Sequence, residues 1–154
     1  MKKLNNNKKG FTLIELLAVI VILAILVMVA IPAVTKYLNS ARQGTFVDNA
    51  HSAISAIRNT IVLESAGTTS FNLDAVNKKL EKKLITSPFG NCYCNESTIS
   101  YDASTNKYSI KLFDTEGYGW KTDKEENELK DDDVAITGVN KPDTCTKVTG
   151  CPTA

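Results

Sequence analysis

From Phe11 to Ile31 the chain runs for 21 residues of mainly Leu, Ile, Val and Ala, with a single charge, Glu15. About 20 apolar residues suffice for a helix to cross the hydrocarbon of a bilayer. A carboxylate in that setting is costly unless it finds a partner. The segment is therefore expected to sit in a membrane first and to satisfy Glu15 elsewhere later. Lys2, Lys3, Lys8 and Lys9 precede it, and this basic flank places the N-terminus on the cytoplasmic side with the remainder outside. An ordinary export signal has an apolar core of about 7–15 residues followed by a small-residue cleavage site. Here the core is longer and continues into helix-forming sequence.

The run Lys8-Lys9-Gly10 followed by Phe11-Thr12-Leu13-Ile14-Glu15 resembles the class III signal peptide of type IV pilins and their pseudopilin relatives. The resemblance covers roughly the first 50 residues. It implies that a prepilin peptidase cuts after Gly10, that Phe11 becomes the N-methylated first residue, and that Glu15 serves assembly from the fifth mature position. Pro32 falls where many members of the family also have proline. A simple signal anchor for an exported domain is the rival reading, and Gly-Phe-Thr-Leu-Ile-Glu argues against it.

A chain of 154 residues allows one membrane segment and one small domain. The net charge of +1 hides a split: without the four leader lysines, 14 basic residues face 17 acidic ones, a balance near −3. An acidic mature protein argues against nonspecific nucleic-acid binding, since phosphate binding needs clustered cations, and no specific nucleic acid is expected as a partner.

Phe46, Ala50, Ala53, Ile54, Ile57 and Ile61 recur at helical spacing, with Asp48, Asn49, Ser52, Ser55 and Arg58 opposite. The apolar helix is thus predicted to continue as an amphipathic one to about residue 65, with Gly67 as its stop. Pro32 and Gly44 interrupt it, and a kink or local melting is expected near Met28–Pro32. A Gly-Thr-Thr-Ser linker follows, and Asn72 caps a short helix over 73–84 with the stripe Leu73, Val76, Leu80 and Leu84. Lys78, Lys79, Lys82 and Lys83 read as its solvated face. Ser87–Asn91 reads as a turn. From 97 to 137 the period becomes two: Ile99 and Tyr101, then Tyr108, Ile110 and Leu112, form a hairpin about the turn 102–106. A third strand is expected at Tyr118, Trp120 and Thr122, and a fourth near Val134–Thr137.

The domain plan is a cleaved basic leader at 1–10, a transmembrane or filament-core helix at 11–35, and a globular domain at 36–154 with a C-terminal tail from 138. The fold class is α+β, a long N-terminal helix packed on a small antiparallel sheet, as in the pilin fold.

Cys92, Cys94, Cys145 and Cys151 all lie in the exported part, where an even number favours disulfides. Cys92–Cys94 would close a very tight ring, so pairings from the middle of the chain to the tail are favoured, and either crossing is open. A four-thiolate zinc site is the rival, although C-x-C and C-x5-C depart from the usual spacing. Glu128 and Asp131–Asp133 lack the interleaved pattern of a calcium loop and read as a solvated acidic turn. His51 reads as a surface residue. No nucleophile–base set, phosphate loop or paired catalytic carboxylates is visible, so no enzyme, cofactor or metal is expected. The expected role is a homo-oligomeric pilus subunit for adhesion, twitching motility or biofilm. Its partners would be other pilins, prepilin peptidase and the inner assembly machinery, with the membrane as its site before assembly and the cell surface after. A pseudopilin of a secretion or DNA-uptake system and a minor tip adhesin, with Tyr118 and Trp120 as candidate contact aromatics, are the alternatives.

Overall fold

A computed structural model describes residues 10–64, 69–136 and 144–152. The leader lysines, the Gly67 stop, Thr137 and residues 138–143 and 153–154 of the tail lie outside these residues. Helix α1 (Leu13–Glu64) is unbroken, and the chain divides into two compact units after Leu38. Then follow β1 (Thr69–Asn72), α2 (Leu73–Asn77), β2 (Thr98–Asp102), β3 (Lys107–Phe113) and β4 (Gly119–Glu125). Two single 3₁₀ turns, Glu126–Glu128 and Asp131–Asp133, come after β4.

In the second unit the amphipathic prediction holds side chain by side chain. Phe46, Ala50, Ala53, Ile54 and Ile57 are fully buried, while Asp48, His51, Ser52, Ser55, Arg58 and Asn59 are exposed. Asn49 departs from its polar neighbours. It is half-buried, and its amide donates to the buried Tyr93 hydroxyl at 3.0 Å. Burial pushes the Tyr93 phenol up, so it stays protonated as both donor and acceptor.

Pro32 and Gly44 do not interrupt α1. Proline removes one amide but its fixed φ is itself helical, and the Thr35 hydroxyl adds a bond to the Ile31 carbonyl at 2.9 Å beside it. The expected melting near Met28 is therefore absent from this chain on its own. Gly44 faces Asp131, whose carboxylate would lie 3.5 Å from an added Cβ.

The sheet has four antiparallel strands in the order β1-β2-β3-β4. The hairpin forms as predicted, pairing Asp102 with Lys107, and its turn places Asn106 at φ 54°, a left-handed conformation that asparagine tolerates. The third predicted strand appears as β4, beginning one residue after Tyr118. Two expectations fail. The presumed linker supplies β1, because Thr69–Asn72 pairs along β2 from Tyr101 to Thr98. The presumed strand near 134 is reduced to one bridge, Ala135 with Gly119, since the chain enters it from a 3₁₀ turn.

Helix α2 ends at Asn77 rather than near Leu84. Asn72 caps it as expected, its side chain accepting from the Ala75 amide at 2.9 Å. Continuing it would set Lys78 against Lys82 and Lys79 against Lys83 one turn apart, which is repulsive. Instead the Asn77 side chain clamps the Leu84 backbone through two bonds, 2.7 and 3.0 Å, and Leu84 still reaches the core.

At the centre of the core, the Phe46 ring lies 5.5 Å from Trp120, edge to face, 5.6 Å from Tyr93 and 6.2 Å from Phe89. Trp120 is buried, whereas Tyr118 is half-buried and stacked on Phe89 at 4.5 Å. These two aromatics therefore serve the fold rather than a shared exposed patch. Asp114, fully buried, ties two turns together. It accepts from Ser87 and Asn91 side chains and from the Glu116 and Tyr118 amides at 2.7–3.2 Å.

Candidate functional site

The first described residues form the site. Phe11 is almost fully exposed, and from Leu13 to Leu38 every large apolar side chain is exposed. This stretch is long and apolar enough to cross a membrane.

Thr12 and Glu15 close a reciprocal cap at the start of α1. The Thr12 hydroxyl accepts from the Glu15 amide at 3.3 Å, and the Glu15 carboxylate accepts from the Thr12 amide at 2.7 Å and the Thr12 hydroxyl at 2.8 Å. Two amides that no helical carbonyl can reach are thereby satisfied. The pattern Thr-x-x-Glu before an apolar run carries this signal, but attention to the charge of Glu15 hides it. Both residues lie after the Gly10–Phe11 bond, so a cut there would leave the cap whole. The chemical consequence is that the carboxylate already holds two donors within its own helix turn, while its charge meets no cation among the described residues.

Residues 5–31 match the family model of the prokaryotic N-terminal methylation motif. This chain carries the N-terminal signal of a pilin-like prepilin. No curated protein and no solved structure matches the chain. The motif implies processing by prepilin peptidase, and it supports a pilin or pseudopilin type of subunit. Gly10 is exposed, and no described residue lies within 4 Å of where a Cβ would stand.

The other candidate residues lie in the globular unit. All four cysteines are bridged, Cys92 to Cys151 and Cys94 to Cys145, with Cα atoms 6.1 and 5.2 Å apart. Both bridges run from the middle of the chain to the tail. Among the described residues, the one cluster with metal-ligand spacing is Cys94, Glu96 and Cys145. Its two sulfurs are bonded to each other, so the four-thiolate zinc reading is set aside. Glu96 is engaged by the Thr146 amide, 2.9 Å from each carboxylate oxygen. The carboxylates of Asp131–Asp133 do not converge; Asp133 instead pairs with Lys124 at 3.6 Å. Pro32, placed among the assembly residues by sequence, lies within α1 and is exposed.

Proposed function

We propose that this prepilin is the structural, non-enzymatic subunit of a type IV pilus, matured after Gly10 and polymerised through Phe11–Ile31 into a surface fibre. The observation that carries the reading is the apolar surface that α1 exposes from Leu13 to Leu38, in which Glu15 is the single charge up to Ile31 and Lys36 follows near the far end. Bilayer lipid can cover such a surface before assembly, and other copies of the same helix can cover it afterwards, at little difference in apolar solvation. What lipid does not offer is a cation for Glu15. The new amine of Phe11 in a neighbouring copy does, and methylation keeps its positive charge. Leaving one partner of such a buried pair alone costs about 3–5 kcal/mol, enough to favour the register in which every Glu15 meets an amine. The membrane is the precursor's site, and the pilus on the cell surface is the product's.

The test is Glu15→Ala in cells that produce the fibre. Leader removal, read as a size shift in membrane blots, should be normal, while fibres seen by immunogold electron microscopy should become scarce. Unchanged fibre yield would falsify the pairing role. In the wild type, label along the whole fibre identifies the main pilus subunit, label at tips a minor adhesin, and no fibre a pseudopilin.

A further inference from the structure

The globular unit separates its charge. Lys78, Lys79, Lys82 and Lys83 follow α2 with one acid, Glu81, among them. All four are exposed and none forms an ion pair with a described residue. Between Asp123 and Asp133 the balance reverses, with seven carboxylates and two lysines. Arg58, Lys107 and Lys124 neutralise Glu126, Glu125 and Asp133. Glu128, Asp131 and Asp132 are exposed and form no ion pair among the described residues, although the Glu128 charge is felt by Lys107 from further off.

Topology attaches these two segments to opposite edges of the sheet. Helix α2 follows β1 and packs on β1 and β2. Lys78 and Lys83 share a cleft with Asp74 and Thr149, and Asp74 holds the Thr149 amide at 2.8 Å. The acidic segment follows β4, the other edge strand, and the chain then bridges back onto it at Gly119. Isolated bridges also join Ala135 to Gly119, Asp114 to Tyr93 and Cys94 to Lys147. The lysine segment therefore follows the helix packed on β1 and β2, and the acidic segment follows β4 at the opposite edge of the sheet.

We propose that the lysine margin of one subunit docks on the Glu128–Asp132 margin of a second copy of this chain. The inference rests on the filament reading above and names its contact between globular units. Two different patches that complement each other make a heterologous contact, which repeats without closing into a dimer. Complementary charge across such a contact sets register and excludes wrong pairings. The acidic margin is the fitting occupant because every copy brings it in equal number with the lysines.

The experiment reverses charge on the full-length protein in fibre-producing cells. Lys78, Lys79, Lys82 and Lys83→Glu should lower fibre yield at least about tenfold, as should Glu128, Asp131 and Asp132→Lys. Combining the two sets should restore fibres. A zero-length carbodiimide cross-link, applied to wild-type fibres assembled from mixed light- and heavy-isotope subunits, should join the 78–83 and 123–133 peptides between copies. Wild-type fibres with no such cross-link, or a combined variant that stays defective, would overturn the docking while leaving the filament reading intact. Failure of the wild type to form any fibre would overturn both.

Discussion

Helix α1 passes through two units, and its two stretches differ in how they place their apolar residues. Between Leu13 and Leu38 apolar side chains point in every direction and all are exposed; between Phe46 and Ile57 they gather on one face and all but the half-buried Ala56 are buried. Ile20 is about half exposed and Ile54 is not exposed at all, although both lie in the same ladder of backbone hydrogen bonds. Apolar content alone therefore does not decide what a helix packs on. A one-sided stripe is matched to a sheet of its own chain, whereas an all-round surface can be covered only by lipid or by other helices.

Removing the covalent ties should separate the two stretches most sharply. The bridges span 59 and 51 residues, and loops of that length are worth about 4 kcal/mol each in the chain-entropy model. Replacing all four cysteines by serine should therefore unfold or nearly unfold the globular unit, losing more than about 4 kcal/mol. In detergent, the helical signal of Leu13–Leu38 should survive, as read by circular dichroism and residue-resolved hydrogen exchange. Equal loss of protection in both stretches would break the comparison.

Phe46→Ala should come next, at about 3–5 kcal/mol, because three aromatic rings lose their common neighbour. Leu26→Ala, at an exposed site, should leave the same denaturant midpoint unmoved and show itself only in fibre yield. Gly119→Ala follows. Its φ of +116° is strained for any side chain, and the new Cβ would collide with the Leu112 carbonyl and the Phe46 ring. A cost of about 1–3 kcal/mol is expected, measured by the same denaturation.

What could be read from residue order divides along the same line. An unbroken apolar run carried α1 before Leu38, helical spacing carried it after, and the Asp102–Asn106 turn carried the hairpin, because each depends on neighbours in sequence. β1 could not be read: Thr69–Asn72 is too short to show a period and its pairing depends on β2, far along the chain. The end of α2 was hidden because the stripe to Leu84 persists while the hydrogen bonds do not; the like charges at Lys78 and Lys82 were the available clue. The motif at Gly10–Glu15 was legible as a signal, whereas its cap at Thr12, though present in the order Thr-x-x-Glu, was hidden behind the charge of Glu15. The pairing of the cysteines was not, since either crossing satisfies the same spacing, and Asp114 gathers donors from two turns that sequence alone does not bring together.

The smallest effect concerns how the tail is held, and it depends on pH. Burial pushes the Glu96 carboxyl up, but hydrogen bonds from Thr146 outweigh this and hold it below its ordinary value. A carboxylate whose folded pKa is depressed binds fewer protons than the unfolded chain does. Its contribution is thus complete above the unfolded value of about 4.3 and fades as pH falls through the lower folded value. Glu96→Gln keeps the shape and one acceptor oxygen but does not titrate. The wild type should exceed this variant in denaturant midpoint by a constant amount at neutral pH, and the gap should close as the solution is taken below pH about 4. The Cys94–Cys145 bridge lies in the same cluster and holds Thr146 in place whatever the pH, so the effect should grow when the tail is freed by reduction. A gap that persists unchanged in acid would mean that Glu96 acts through its shape and not through its charge.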